Sequence, residues 1–208
     1  MSTVTIAPDR RAALLVGIAR IVVALAVIAV LLYTYALGVA AGRSSLFDYF
    51  GYFTNLTSLL TSSVLLVAGF IAVTGHRAPR WLTAARALGT TYMLLVGLVY
   101  NVLVPGTGTA PPWVSVVLHV IFPILVVADW LAGPDRHAIP WALLVIVLPY
   151  PIVRVTVVLV RGATDGWVPY GFLLPSHGAA TLAAHVAALL AVLLVLGAAV
   201  WSVGRRRS

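Results

Sequence analysis

The stretch AALLVGIARIVVALAVIAVLLYTYALGVA, Ala12 to Ala40, carries a single charged side chain, Arg20, in a run longer than the ~20 residues a helix needs to cross a bilayer. In water it would expose apolar surface on every side. In a bilayer a helix satisfies all its backbone polar groups internally. The run is too long for a signal-peptide core, and Val39-Ala40-Ala41 is a weak cleavage site, so it reads as a retained transmembrane helix. Five more apolar runs follow, at about 52–74, 82–104, 113–131, 140–160 and 178–203. Between them lie breaker-rich loops: Gly75-His76-Arg77-Ala78-Pro79-Arg80, Pro105-Gly106-Thr107-Gly108 and Gly133-Pro134-Asp135-Arg136.

Composition agrees. Of 208 residues, 62% are hydrophobic and 9% charged, with a mean hydropathy of +1.09. Soluble proteins keep about a quarter of their residues charged. Six spans take about 120 residues and leave only short loops. The expectation is therefore one integral-membrane domain over 1–208, an all-α bundle of six transmembrane helices. No internal repeat and no matched pair of broken helices is present, which argues against a transporter built from repeats.

The inventory excludes several chemistries. All five acids are Asp and all thirteen bases are Arg; Glu, Gln, Lys and Cys are absent. Without Cys there is no disulfide, thiolate nucleophile or iron–sulfur ligand. Without Lys there is no Schiff base for retinal or pyridoxal, and no cofactor is expected. Arg in place of Lys, with abundant Ala and Val, points to a GC-rich bacterial genome. The net charge of +8 fits the loops of a membrane protein and does not call for nucleic acid.

Charge distribution sets the expected orientation. With the N-terminus inside, Arg10, Arg11, Arg20, Arg77, Arg80, Arg86, Arg136, Arg205, Arg206 and Arg207 are cytoplasmic or near it. Arg43, Arg154 and Arg161 fall outside. Ten against three is a positive-inside bias, and six spans return the C-terminus to the cytoplasm. Trp113 and Trp167 then mark the outer boundary; Trp81, Trp130, Trp141 and Trp201 mark the inner one. The expected location is a cell membrane, multi-pass, the inner or plasma membrane of a bacterium.

Polar groups within the spans are where function is sought, because they are costly there. Thr54, Thr57, Ser58 and Thr61 recur at i, i+3, i+4 and i+7 on one helical face. On spacing alone the favoured reading of that face is interhelical packing by small polar residues, or hydroxyls bonded back to their own helix. His119 lies about 9 Å below the outer boundary at helical rise, and Pro123, lacking an N–H, should kink the helix beside it. It reads either as a neutral histidine bonded to a neighbouring helix or as a functional base. Asn101, Arg154, His177 and His185 fall in the same outer half as Thr54 and His119. Packing alone does not call for that convergence. Arg154 can also serve backbone carbonyls freed by Pro149 and Pro151. Asp129 with Arg86 or Arg20 reads as an ion pair at the inner boundary, and Asp48 as a solvated residue, a helix cap or a partner orienting His119.

Three histidines without H-x-x-x-H spacing or an intramembrane carboxylate make a poor metal set, so no metal is expected. A threonine hydroxyl becomes a nucleophile when a base such as histidine takes its proton. Asn55, Asn101, Arg154 and His185 are candidates for holding an oxyanion or positioning a substrate. At this depth the substrate would be the ester bond of a lipid.

Tyr52-Phe53-Thr54-Asn55-Leu56 opening the second helix, His119 ahead of Pro123 and Asp129, and Arg161-Gly162-Ala163-Thr164-Asp165-Gly166-Trp167-Val168-Pro169-Tyr170-Gly171-Phe172-Leu173 before the last helix form an ordered set. Together they resemble the androgen-induced protein family, and its prokaryotic six-helix relatives look closer still. The resemblance implies six helices with both ends cytoplasmic. It also implies hydrolysis of fatty acid esters of hydroxy fatty acids, with a Thr nucleophile and a His at Thr54 and His119. It further implies that Trp167, Tyr170 and Phe172 shape the mouth of the site.

The leading expectation is an intramembrane Thr/His lipid-ester hydrolase, with membrane lipids and a lipidic ester as its partners. The alternative is a non-catalytic membrane protein that binds or moves a small or lipidic ligand through an outer-leaflet polar pocket. A His-liganded metal hydrolase is a third. A homo-oligomer is allowed but not indicated.

Overall fold

The structure, a computed structural model, describes residues 10–106 and 110–205. Asp9, Arg206, Arg207, and Thr107 and Gly108 of the third loop lie outside the described residues. Six helices are long and apolar enough to cross a membrane, and no strand occurs among the described residues. The chain is an all-α membrane bundle. The first span is α1 (Arg10–Ala40); a short α2 (Leu46–Tyr49) follows in the loop, then α3 (Phe53–Thr74) and α4 (Arg80–Leu103). The fourth span joins α5 (Pro112–Val116), a π-helical turn over Val117–Ile121 and α6 (Phe122–Ala132). A 3-10 segment, Trp141–Val147, continues into α7 (Pro149–Thr164) as the fifth, and α8 (Ala179–Arg205) is the sixth.

Two spans differ from the sequence expectation. The fifth, read as one helix over 140–160, is a tight coil in its first third. Pro149 has no N–H for the carbonyl of Val145, which accepts from Leu148 instead (3.1 Å). The α-helix starts again with Pro149 in its first turn, where a missing N–H costs nothing, and runs on to Thr164. Arg161 therefore sits in its last turn and not in the loop. In the fourth, the irregularity expected at Pro123 is taken up by the π-helical turn just before it.

The third span is the hub. In α4, 61% of the apolar window is buried inside the protein, against 17% in the fifth span. The peripheral spans turn Leu15, Leu32, Phe70, Val153 and Val195 outward, as lipid-facing helices do. Small residues let α1 and α3 meet closely. A Cβ added to Gly17 would lie 2.9 Å from the Gly69 carbonyl oxygen, so the two backbones nearly touch.

Four charges lock one end of the bundle. Arg20 reaches Asp129 and Asp135 at 2.7 Å each; Arg86 reaches Asp129 at 2.7 Å and Asp135 at 2.8 Å. Both guanidiniums are buried, and the two carboxylates neutralise them. The quartet ties α1, α4 and α6 to the 133–140 loop. Beside it Trp130, fully buried, donates its ring N–H to the Val200 carbonyl of α8 (3.1 Å). Six crossings leave Arg10 and Arg205 at this same end, and the polar groups of interest at the other.

Candidate active site

Helix α3 opens the site. Tyr52 is extended, and the phenol of Tyr170 accepts the first free N–H of the helix, from Phe53, at 2.7 Å. One residue on, the Thr54 hydroxyl lies 3.2 Å from Nε2 of His119. The other ring nitrogen, Nδ1, is 2.9 Å from the carbonyl oxygen of Ser115. A carbonyl only accepts, so Nδ1 carries the proton and the lone pair of Nε2 faces the threonine. That is the tautomer a general base needs.

The histidine is held on its other sides as well. Its ring stacks on Tyr100 of α4, with centroids 3.7 Å apart and planes 17° apart. It sits within the π-helical turn, and Pro123 offers no N–H to its carbonyl. The Asn101 amide supplies one at 3.3 Å while also donating to Gly97 at 2.7 Å. Gly97 makes the approach: a Cβ there would stand 3.3 Å from the His119 carbonyl oxygen. Asn101 thus spends its donors on backbone at the back of the kink and does not line the cavity.

Thr54 and His119 line a cavity of about 800 Å³. It extends from the first loop and the 167–173 segment inward to Leu95, Leu118 and Leu193. Its walls are mostly apolar, which suits an acyl chain. Asn55 lines it and donates its amide to the Tyr49 carbonyl at 2.8 Å. Arg154 lines it too. One of its nitrogens, Nη2, donates to the carbonyls of Phe50 (2.8 Å) and Gly51, its Nε is buried without a partner, and no carboxylate pairs with it among the described residues. Trp167, Tyr170 and Phe172 form one wall at the mouth. Trp167 packs on Gly51 so closely that no Cβ fits there, and its ring lies 4.3 Å under the Arg161 guanidinium. Burial pushes the Tyr170 phenol upward, so it stays neutral at any ordinary pH.

Other expected partners lie elsewhere. His185 is on α8 against Phe172 (6.0 Å between rings), outside the cavity lining, and its Nδ1 has no partner. His177 is exposed. Asp48 pairs with Arg161 at 2.7 Å, so the group that orients His119 is the Ser115 carbonyl and not a carboxylate. Among the described residues no three His or Asp side chains gather as a metal set would. Sequence reasoning missed Tyr100, Ser115 and Gly97. Ser115 stands four residues before His119, a spacing that pairs a side chain with the preceding turn of its own helix. Tyr100 and Gly97 leave no such mark.

Of the hydroxyl face on α3, Thr57 reaches the Tyr150 hydroxyl at 3.0 Å, while Ser58 and Ser62 are buried and unpartnered. Only Thr54 meets a base. No family model, curated protein or solved structure matches this chain.

Proposed function

We propose that the protein is an intramembrane hydrolase of lipid esters, with Thr54 as nucleophile and His119 as general base. The observation that carries this reading is the pairing of the Thr54 hydroxyl with Nε2 of a histidine whose Nδ1 proton is already committed to Ser115. In the reaction, Thr54 Oγ1 bonds to the ester carbonyl carbon as its proton passes to Nε2. His119 returns that proton to the departing alcohol, leaving an acyl-threonine, and water activated by the same nitrogen releases the acid. The backbone N–H groups of Thr54 and Asn55, in the first turn of α3, donate to no partner among the described residues. They are the donors best suited to the oxyanion.

The lining of the cavity supports a substrate class for this reading. Apolar walls suit acyl chains, and Arg154, which pairs with no carboxylate among the described residues, offers a cation to a free carboxylate at the polar end. A fatty acid ester of a hydroxy fatty acid carries both features, and the ordered likeness to the androgen-induced protein family points the same way. The test is release of free acid from such an ester by the purified protein in detergent. Turnover by the wild type and none by Thr54→Ala supports the reading. Turnover unchanged in Thr54→Ala, or a wild type that is stabilised by the ester yet never cleaves it, replaces it with ligand binding.

A further inference from the structure

A second recess, of about 550 Å³, opens at the end of the bundle opposite the Thr54–His119 cavity. It is walled by Arg80, Thr83 and Ala84 of α4, by the loop from Arg136 to Pro140, and by Leu143. Two arginines and a histidine line it, and no carboxylate does. Among the described residues the aspartates of this end, Asp129 and Asp135, are both engaged by Arg20 and Arg86. Helix α4 begins here without an acidic residue in its first turn and without a side-chain cap, so the positive end of its dipole adds to Arg80.

Thr83 is the independent sign of a ligand. It is 1% exposed, and its hydroxyl has no partner. Further along the same helix, Thr90 and Thr91 return their hydroxyls to the carbonyls of Arg86 and Ala87 at 2.8 Å. Thr83 makes no such bond and lines the recess instead. A buried hydroxyl without a partner is costly, and an anion oxygen would relieve it. The remaining walls are fixed in place. Arg136 donates to the carbonyls of Gly133 and Leu131 and lies 5.6 Å over Trp130, and His137 donates to Ala78, joining two loops at 3.1 Å. Exposed Trp81 and Trp141, next in sequence to the recess, belong to the headgroup level of a bilayer.

From these features we infer that the recess holds the phosphate of an anionic phospholipid, with Arg80 and Arg136 supplying charge and Thr83 a hydroxyl donor. This site stands apart from the hydrolase reading. The test is the thermal unfolding midpoint of the full-length protein in uncharged detergent, titrated with phosphatidylglycerol, phosphatidylcholine or inorganic phosphate. Phosphatidylglycerol raises the midpoint saturably and phosphatidylcholine does not. Arg80→Gln and Thr83→Val each weaken the apparent affinity roughly fivefold or more, whereas Arg77→Gln, outside the recess, leaves it unchanged. Thr83→Val removes an unpaired buried hydroxyl at nearly constant volume, so it keeps the fold even if Arg80→Gln does not. An equal response of all three variants, or an equal shift by phosphatidylcholine, overturns the site. A shift reproduced in full by inorganic phosphate alone overturns the lipid as its occupant.

Discussion

The Nδ1 of His119 and the carbonyl oxygen of Ser115, one helical turn apart, lie 2.9 Å from each other. Because the carbonyl can only accept, this contact decides which ring nitrogen is basic and turns it toward Thr54. In soluble hydrolases a carboxylate often holds the histidine. A backbone acceptor does so here without placing a second charge at membrane depth, where a charge is expensive.

Stacking on Tyr100 fixes the plane of the same ring. Replacing Tyr100 by Ala removes that support, and we expect a loss of about 1 kcal/mol of stability with a fall of roughly tenfold in turnover. Tyr100→Phe keeps the ring and loses only the acceptor for the Gly106 N–H, so it should stay near wild type. Steady-state kinetics with one ester, beside a melting curve, separate the two effects.

Gly97 sets the distance between α4 and the π-helical turn. A Cβ would stand 3.3 Å from the His119 carbonyl and 3.5 Å from Pro123, so a branched side chain forces the turn away. Gly97→Val is expected to lower turnover by roughly a hundredfold, the usual effect of about 1 Å of misplacement, while the protein still inserts in the membrane. Full activity in a folded Gly97→Val protein would show that the close approach does not position the base.

Tyr170 caps α3. Removing its hydroxyl in Tyr170→Phe frees the Phe53 amide and should cost about 1 kcal/mol, read as a lower unfolding midpoint. Because burial raises that phenol, its ionisation contributes no change in stability between neutral pH and pH 9.

The ion quartet makes the fold acid-sensitive. Burial raises the Asp135 carboxyl, but Arg20 and Arg86 outweigh burial and hold it well below the usual carboxylate range. Its folded value lies below the unfolded one near ~3.9, so its contribution is complete at neutral pH and fades as pH falls below about 4. Unfolding midpoints should be flat from pH 6 to 8 on this account and fall in acid. Asp135→Asn leaves two buried guanidiniums short of an anion; we expect a loss of about 3 kcal/mol at pH 7 and a weaker acid dependence.

Much of this was legible in the residues. Hydropathy marked all six spans because length and apolarity are local properties of a helix in lipid. Depth along the helices paired Thr54 with His119, since both begin spans that run the same way. The division of the fifth span was harder to read: Pro149 announces a break, but a 3-10 segment rather than a kink depends on packing against α8. The same is true of Asn101 and His185. Both fall at the right depth, yet rotation about the helix axis turns Asn101 to the back of the kink and His185 away from the cavity. Tyr100 and Gly97 were invisible for the complementary reason. A stacking tyrosine and a contact glycine look like any other apolar-helix residues until the neighbouring helix is in place.

Activation of the Thr54 hydroxyl by His119 can be read out by covalent labelling. The purified protein, its Thr54→Ala variant and its His119→Ala variant are each treated with a fluorophosphonate probe, with folding of all three checked by thermal melting. Labelling of the wild type that is lost in both folded variants is the predicted result. A wild type that labels equally in Thr54→Ala, or a well-folded wild type that does not label at all, contradicts it.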